Sequence, residues 1–305
     1  MNTPLLVSIC ISTYKRPEKL ATLLMSLNSL TFDELDPPNI EIIVVDNDGY
    51  GSAAAVCENM ASYLRWPLKY DIEPVQGVSY ARNRSINNAS DFSDFIAMID
   101  DDEVPHPAWL ERLLIVQNQY CADVVTGPVF PIFEASVPKW IKKGNFFAPK
   151  SYQTGQTLET AFTGNVLVRT RELKKLDRVF DERFAIKGAE DTHLFMRLKA
   201  DGCKIVWANE AVADEWIPSS RTNLKWILRR GYWGWSSYSL FEKEIYPSLK
   251  IQLIRLLKGF ALMVSGVVLI IPSLFQERDK LAAALLNISR GFGTVSGLLG
   301  FQGDW

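Results

Sequence analysis

The stretch Phe95-Ile96-Ala97-Met98-Ile99-Asp100-Asp101-Asp102-Glu103-Val104-Pro105 joins five apolar residues to four consecutive carboxylates. The apolar half predicts a buried strand, and ligands of open α/β sheets bind just beyond the carboxyl ends of strands. Carboxylates this close repel one another unless a cation or hydrogen-bond donors compensate them. Hard oxygen ligands of this kind suit Mg²⁺ or Mn²⁺, with substrate phosphates completing the shell. A solvated acidic turn that caps the next helix is the alternative interpretation.

Strand-like and helix-like segments alternate before this stretch. Leu5 to Ile11 and Glu41 to Val45 are nearly continuous apolar runs, and each ends in a polar turn. A helical pattern follows each run: Pro17 begins the first, and the second covers Ser52 to Leu64. This alternation predicts an α/β fold with a doubly wound, mostly parallel sheet. Neither strand is followed by GxGxxG or by the P-loop pattern, which disfavours a dehydrogenase and a P-loop phosphate site.

Composition limits the classes of partner. The 305 residues include 33 basic and 35 acidic side chains, a formal net charge of −2. No overall basic field is present to recruit nucleic acid. The cysteines are far apart and form no CxxC pair, which argues against a zinc site and fits small buried residues in a reducing compartment. They are Cys10, Cys57, Cys121 and Cys203.

A predicted helix that opens at Gly77 contains two arginines, Arg82 and Arg84. They are either solvated surface charges, or one of them faces the strand ends where the phosphates of a nucleotide would lie. We assign Arg82 to the nucleotide-sugar site. After the acidic strand end, the pattern predicts a helix over Pro107 to Gln119 and one strand over Asp123 to Phe130.

Three later segments add candidate site residues. Phe162 to Val168 predicts a strand in which Gly164 either lets a ligand approach closely or simply forms a tight turn. Glu190 and Asp191 open a helix, a place where a carboxylate is ordinarily a cap. Residues 131–161 show no clean period, and we expect a loop region that covers a substrate.

Together these motifs resemble family 2 glycosyltransferases of the A-type nucleotide-diphospho-sugar transferase fold, of the kind that makes bacterial cell-surface polysaccharide or lipopolysaccharide. The resemblance covers roughly residues 5–240. Six segments carry it in order: Ser8 to Leu30, Val44 to Asp48, Gly77 to Arg84, Met98 to Asp102, Thr163 to Asn165, and Glu190-Asp191.

The resemblance implies an inverting transferase with a divalent metal, Mg²⁺ or Mn²⁺, bound by Asp100 and Asp102 of a DxD motif. Asp191 would be the catalytic base, and Asp46 would hydrogen-bond the nucleotide base. Many relatives carry a histidine within the segment that reads Val212-Ala213-Asp214-Glu215-Trp216 here, so a further metal ligand is unassigned. The donor site would also include Thr13, Tyr14, Arg16, Asp100 and Asp101. The acceptor side would include Gly164, Asn165, Glu190, Arg229 and Arg230.

The C-terminal region predicts association with a membrane. We expect a catalytic domain over residues 1–240, with a nucleotide-binding half to about 105 and an acceptor half from about 106, and a helical hydrophobic tail over 241–305. Gly259 to Phe275 has 17 residues without a charge, the low end of spanning length. If two helices spanned the membrane, the loop with Arg278 and Lys280 would face outward, which the positive-inside tendency disfavours. We therefore expect helices in or on the cytoplasmic face of the inner membrane. Core helices or an oligomer contact are the alternative. For Arg229 and Arg230 the alternative is an interfacial helix with snorkelling side chains.

The resulting hypothesis is a membrane-associated, metal-dependent enzyme that moves a sugar from a nucleotide-diphospho-sugar, with UDP-sugar preferred, to a glycolipid or polysaccharide acceptor. A nucleotidyltransferase that makes nucleotide sugars is one alternative, although it would need a Gly-rich basic loop after the first strand. A non-catalytic sugar-nucleotide-binding scaffold at the membrane is the other, although the carboxylates it could lose are all present. The sequence does not identify the sugar, acceptor or linkage.

Overall fold

The structure is a computed structural model that describes residues 5–304. Its strands in chain order are β1 (Leu6–Thr13), β2 (Asn39–Asp46), β3 (Leu68–Ile72), β4 (Phe95–Ile99), β5 (Glu103–Pro105), β6 (Val124–Thr126), β7 (Val129–Phe133), β8 (Asn165–Arg169), β9 (Ile205–Trp207) and β10 (Ala213–Ile217). Its α-helices are α1 (Pro17–Asn28), α2 (Ala54–Ala61), α3 (Val78–Asn87), α4 (Trp109–Tyr120), α5 (Lys139–Gly144), α6 (Thr170–Leu173), α7 (Glu190–Ala200), α8 (Leu224–Ile245), α9 (Leu249–Ser273) and α10 (Arg278–Leu298).

The larger sheet has seven strands in the order β3-β2-β1-β4-β8-β6-β9. Strand β1 pairs in parallel with β2 and β4, and β2 pairs in parallel with β3. Strand β8 runs antiparallel to both of its neighbours, β4 and β6. This arrangement confirms the predicted α/β fold with a mostly parallel sheet. Because neighbouring parallel strands end at the same edge, the polar segments after β1, β2 and β4 meet there.

Apolar strands covered on both faces explain why the sheet forms the core. The inner residues of β1, β2 and β4 are almost completely buried, and helices pack on either side of them. Their near-continuous apolar runs are typical of strands in a parallel sheet with two covered faces. In α1, four leucines at helical spacing are buried. These leucines are Leu20, Leu23, Leu24 and Leu27.

Two sequence predictions about the middle of the chain were wrong. The single strand predicted over Asp123 to Phe130 is two strands, β6 and β7, in different sheets. Pro128 stands between them, and because it has no N–H it cannot continue a strand ladder. The predicted loop region 131–161 contains the end of β7 and the short helix α5. Strands β5, β10 and β7 form the second sheet, in which Glu215 lies opposite Glu103.

The chain divides into two compact units. One consists of residues 5–130 and 149–215, and the other of residues 131–148 and 216–304. The functional division near residue 240 stays a prediction, and α8 runs through that position. In the second unit, α10 packs along both α8 and α9. By length and composition, α9 is the one helix among residues 5–304 that could cross a membrane, with a mean hydropathy of 2.1 and only 11% of that window buried.

Candidate active site

Hydrogen bonds join the end of β1 to the acidic end of β4. The hydroxyl of Thr13 donates to Asp101 Oδ2 over 2.8 Å. Arg16 Nη1 donates to Asp101 Oδ1 at 2.9 Å and to Asp102 Oδ2 at 3.0 Å. The structure therefore brings Thr13, Arg16, Asp101 and Asp102 together, as expected for neighbouring parallel strands. Arg16 compensates part of the charge of the carboxylate run.

Two further residues predicted for the donor site lie near the ends of β1 and β2. Tyr14 is 40% exposed, and its hydroxyl accepts a hydrogen bond from Gln76 over 3.2 Å. Asp46 is fully buried, and its carboxylate accepts hydrogen bonds from the backbone N–H groups of Ala53 at 2.7 Å and Asp48 at 2.9 Å. These bonds fix the loop after β2. The hydrogen bond from Asp46 to a nucleotide base stays a prediction.

Arg82 connects the acidic strand end to the start of α7. Its Nη2 donates to Asp100 Oδ1 over 2.6 Å, and its Nη1 donates to Glu190 Oε1. The Arg82 side chain is 12% exposed and that of Glu190 is 5% exposed. Three predicted site residues from α3, the end of β4 and α7 therefore meet in one ion-pair network, which is buried at Arg82 and Glu190 and open to solvent at Asp100, whose side chain is 41% exposed. The sequence assigned Arg82 to a nucleotide phosphate and did not indicate this bridge.

Asp191 follows Glu190 at the beginning of α7. Gly188 and Ala189, with φ of 72° and 66°, turn the chain sharply into the helix. The Asp191 carboxylate accepts a hydrogen bond from the backbone N–H of Thr192 at 2.6 Å. The hydroxyl of Thr192 donates to the same oxygen, Oδ1, at 3.3 Å. A general base needs its other oxygen, here Oδ2, toward a substrate hydroxyl.

Gly164 makes room for a side chain of the protein. A Cβ at this position would lie 2.3 Å from Glu103 Oε1. Glu103 Oε2 in turn accepts a hydrogen bond from the backbone N–H of Asp100 over 3.1 Å, so the close approach belongs to the acidic turn itself. The small size of Gly164 accommodates Glu103, and its assignment to the acceptor side stays a prediction. Glu103 was visible in the carboxylate run, but the sequence gave it no role.

Asn165 joins three segments through its amide group. Its Oδ1 accepts a hydrogen bond from the indole N–H of Trp109 at 2.7 Å. Its Nδ2 donates to the carbonyl oxygens of Pro128 at 3.0 Å and Ala211 at 2.7 Å. Both N–H bonds of this buried amide are thus used within the protein. These contacts hold the strand ends in place, and the acceptor-side role of Asn165 stays a prediction.

Comparison with known proteins decides the family. The model of glycosyl transferase family 2 matches residues 8–176, more than half of the chain. This chain belongs to glycosyl transferase family 2. Succinoglycan biosynthesis protein ExoM of Rhizobium meliloti (strain 1021) is 30% identical over 305 residues, covering 99% of this chain and 95% of that protein. Glucosyl-dolichyl phosphate glucuronosyltransferase of Haloferax volcanii is 22% identical, covering 96% of each chain.

Solved structures agree with the fold of this glycosyltransferase. S. aureus TarS 1-349 in complex with UDP is 16% identical, with a TM-score of 0.56, covering 97% of this chain and 92% of that chain. The same TarS segment in complex with UDP-GlcNAc gives the same values. At this identity the likeness concerns the fold, and it supports the predicted A-type architecture.

Carboxylates crowd the acidic strand end of this glycosyltransferase, and the pKa values of two of them are raised. Burial raises the pKa of Asp101 to about 6, against the opposing effect of Arg16, and the charge of Asp102 adds to the rise. Burial also raises the pKa of Glu103 well above its ordinary value, and the charges of Asp100 and Glu215 act in the same direction. Raised carboxylate pKa values at one place indicate a site that favours a cation.

Burial has the same effect at the start of α7. It raises the pKa of Glu190 to about 7 and that of Asp191 above its ordinary range, while Arg82 opposes both shifts. Burial acts to lower the pKa of Arg82, but the charges of Asp100, Glu190 and Asp191 outweigh it, so that pKa is raised. Arg82 is therefore a permanent cation between the carboxylates of β4 and those of α7.

The carboxylate oxygens at the strand edge suit Mg²⁺ or Mn²⁺ in chemical type. Among residues 5–304, no three His, Cys, Asp or Glu side chains are already arranged as a ligand set. Asp102 is bonded to Arg16 and Asp100 to Arg82. The donor set nevertheless fits a divalent ion that takes two carboxylates from the protein and the rest of its shell from donor phosphates and water.

The remaining two predicted residues, Arg229 and Arg230, belong to the second unit. There they line a pocket with Arg221 and Trp226. The interleaved basic and aromatic residues from Trp226 to Trp235 were the sequence signal for this segment. Arg221, which precedes α8, was outside that pattern and received no prediction.

Proposed function

We propose that this glycosyltransferase is a metal-dependent, inverting enzyme of bacterial polysaccharide biosynthesis, which transfers a sugar from a UDP-sugar to a glycolipid precursor. The observation that carries the proposal is the bridge by Arg82 between Asp100, on the donor side, and Glu190, the neighbour of Asp191. It links the carboxylate assigned to the metal, Asp100, with Glu190, which directly precedes the carboxylate assigned to proton transfer. Two solved TarS complexes with UDP or UDP-GlcNAc support the choice of donor.

Transfer with inversion requires one base and one means of stabilising the leaving group. The acceptor hydroxyl oxygen attacks the anomeric carbon, the bond from that carbon to the diphosphate oxygen breaks, and the hydroxyl proton passes to Asp191. A positioned base contributes about 10²–10⁴ in rate. A divalent ion held by Asp100 and Asp102 would neutralise the charge that develops on the departing nucleoside diphosphate. Arg82 keeps Asp100 and Glu190 in fixed positions during this exchange.

The second unit and the relatives support the proposed acceptor class. ExoM is named for succinoglycan biosynthesis, and the Haloferax relative for glucosyl-dolichyl phosphate, a lipid-linked sugar. Along α9, large apolar side chains are exposed, whereas an apolar helix in the core of a soluble protein would bury them. We infer that α9 either lies in the cytoplasmic face of the inner membrane or crosses that membrane. A lipid-linked acceptor would be presented at this face.

A donor screen tests the proposed reaction. The full chain in detergent is incubated with a panel of nucleotide sugars and a bacterial lipid extract, with Mn²⁺ or with EDTA, and release of nucleoside diphosphate is measured. We expect release from a UDP-sugar that requires both Mn²⁺ and the lipid extract. If no sugar nucleotide released nucleoside diphosphate, the proposed function would be contradicted. If release were equal with Mn²⁺ and with EDTA, the proposed metal dependence would be contradicted.

The variant Asp191→Asn tests the assignment of the base. We expect transfer to fall by about 10² or more, because the amide cannot accept the proton, while calorimetry still detects UDP binding in the presence of Mn²⁺. Asp91→Asn is the matched control, since the Asp91 side chain is 95% exposed and lies outside the site. Transfer by Asp191→Asn at the rate of the control would place the base elsewhere.

A further inference from the structure

Helix α9 packs against α10 along one narrow face. The buried residues of α9 are Gly259, Gly266 and Ser273, which are seven positions apart and therefore lie on one side of the helix, about two turns from one another. The two backbones meet on this side, because a Cβ on Gly266 would lie 2.6 Å from the carbonyl oxygen of Ala284 in α10. The contact with α10 therefore leaves most of the circumference of α9 uncovered.

The opposite face of α9 carries a continuous apolar stripe. Its side chains are three, four or seven positions apart along the helix and are 57–88% exposed. They include Leu253, Leu257, Val264, Val268, Ile271 and Phe275. From the first to the last of these residues the stripe is about 33 Å long, at 1.5 Å per residue. A stripe of this length could accompany a helix that crosses a bilayer or one that lies within a leaflet.

The first turns of α9 are held beside the ends of α8 and α10. Arg255 Nε donates to Glu242 Oε2 of α8 over 2.6 Å, and both side chains are only 17% exposed. The guanidinium carbon of Arg255 also lies 4.8 Å from the ring of Tyr238. Lys243 Nζ donates to the carbonyl oxygen of Leu298, the last residue of α10, over 2.8 Å. This end of α9 is therefore fixed to charged residues of the same unit.

The other end of α9 lies beside α5 and the beginning of α8. Glu277, which follows the end of α9 and precedes α10, forms an ion pair with Lys143 of α5. Ile141 of α5 packs with Leu286 of α10 and with Ile227 in the first turn of α8. Both ends of α9 are thus joined to the helices that lie behind it, and α10 runs between α8 and α9.

Neither α8 nor α10 has a long enough uncharged stretch to cross a bilayer beside α9. In α8 the longest such stretch is residues 231–241, which is eleven residues or about 17 Å of helix. In α10 the nine residues 281–289 are followed by Arg290. The hydrocarbon core of a bilayer is about 30 Å thick. If α9 stood across the membrane, the helices packed along it would bring charged side chains into hydrocarbon, which is unfavourable.

We propose that α9 lies flat in a single leaflet, with the apolar stripe immersed and with α10 and α8 on its aqueous side. The proposal rests on the proposed function for the membrane location, and it decides between a helix that lies in the leaflet and one that crosses. Exposed basic residues near both ends of α9 then lie at the level of anionic headgroups. They are Lys250, Lys258, Arg278 and Lys280. A lipid-linked acceptor would reach the enzyme from the leaflet that holds α9.

Thiol labelling in inverted inner-membrane vesicles, whose cytoplasmic face is outward, tests this orientation. The variant Gln276→Cys places a thiol at an exposed position just after α9. Native Cys121 is exposed in the first unit and serves as the internal reference, because the other three cysteines are buried. We expect a membrane-impermeant maleimide to label both thiols in inverted vesicles and neither in intact spheroplasts. Labelling of the introduced thiol from outside spheroplasts would place the end of α9 across the membrane and overturn the proposal.

Fluorescence quenching measures the depth of the apolar stripe. In a full chain with Cys121→Ser, a bimane label is attached in turn to Leu253→Cys, Val264→Cys and Phe275→Cys, in phosphatidylcholine vesicles with phosphatidylglycerol. Lipids that carry a nitroxide at a shallow or a deep chain position are the quenchers. A flat helix puts the three labels at equal depth, whereas a crossing helix puts the middle label deepest. Phe92→Cys is the matched control for background quenching, because Phe92 and Phe275 are both 88% exposed.

The quenching result also separates lipid from a protein partner. If none of the three labels were quenched beyond the Phe92→Cys control, another protein chain, such as a second copy, would cover the stripe and the proposal would be overturned. A middle label clearly deeper than both end labels would overturn it as well.

The outcome is distinguishable from a failure of the proposed function. Neither labelling nor quenching needs a donor or Asp191, so Asp191→Asn should behave as the unmodified protein in both measurements. Equal depth along the stripe, together with no transfer in the donor screen, would refute the reaction and not the orientation. Transfer from a UDP-sugar by a protein whose thiol after α9 is labelled from outside spheroplasts would refute the orientation and not the reaction.

Discussion

Arg82 has the most consequential contacts of any single residue described in the site, because it compensates carboxylates on both sides. Its charge opposes the rise in the pKa of Asp191 and of Glu190 that burial causes. A base must be deprotonated to act, so activity falls as the pH drops through the pKa of the base. Any change that removes the Arg82 charge should therefore move this fall to higher pH.

The variant Arg82→Gln checks this at the level of one side chain. With saturating donor, we expect the acidic limb of the pH–rate profile to move upward by about 1 pH unit or more, the usual effect of losing a close opposite charge. Arg82→Lys keeps the charge, and its acidic limb should stay close to that of the unmodified enzyme. If both variants lost rate equally at every pH, Arg82 would act by packing and not by its charge.

The residues of the site could be predicted from sequence only where a motif names them. The acidic strand end was singled out because its carboxylates are consecutive, whereas the pair at the start of α7 received its proposed role only through the family resemblance. The bridge by Arg82 joins residues separated by 18 and 108 positions, and no local pattern indicates which partner a buried arginine will meet. Gly164 shows a related limit: its small size was evident, but the sequence could not tell whether a ligand or Glu103 occupies the space.

At the level of elements, the contact between α8 and α10 defines the second unit. The two helices approach so closely that a Cβ on Gly293 of α10 would lie 2.3 Å from the carbonyl oxygen of Tyr232 in α8. A backbone oxygen cannot move aside as a flexible side chain can. This position therefore tolerates no side chain unless the helices separate.

Gly293→Ala should lower the free energy of unfolding of the second unit by about 1–3 kcal/mol, the usual cost of overpacking. Gly234→Ala is the matched control, because Gly234 lies on α8 with nothing within 4 Å of a new Cβ. The control should be neutral or more stable by up to about 1 kcal/mol, since alanine favours helix. Thermal unfolding followed by circular dichroism in detergent compares them, and equal midpoints would contradict the close packing.

Element types were more predictable than element ends or partners. The apolar pattern identified α1 by the helical spacing of its leucines and the strands of the parallel core by near-continuous apolar runs, because those strands are covered on both faces. It failed over Asp123 to Phe130, where the apolar run continues although the backbone changes sheet at Pro128. Within the predicted helical tail, the uncharged run from Gly259 does not mark an element end: α9 begins at Leu249, because its first turns contain basic residues.

For the whole molecule, the exposed apolar surface of α9 determines where the protein is expected to be found. Replacing Val264, Val267, Val268 and Ile271 with serine should move the full chain out of the membrane fraction. These side chains are 58–69% exposed, so the changes remove little internal packing. Each valine or isoleucine that enters a membrane contributes about 1.5–3 kcal/mol when fully buried.

Flotation with vesicles measures this effect, and a circular dichroism melt verifies that the variant is folded. The control replaces Tyr50 and Phe92, which are 96% and 88% exposed in the first unit, with serine. It should float as the unmodified protein does. A folded α9 variant that still floats with vesicles would assign the membrane contact to another surface.

The pairing of α8 with α10 across the intervening α9 also sets an order of events during synthesis. Helix α8 leaves the ribosome before its partner exists, and at roughly 5–20 residues per second the wait lasts several seconds. During the first part of that interval the newest segment of the chain is the apolar α9. A nearby bilayer would capture α9 before the second unit can close, so placement at the membrane would precede completion of the fold. A cell that makes this protein faster than its membranes can receive it should accumulate aggregated chains whose α8 has no partner.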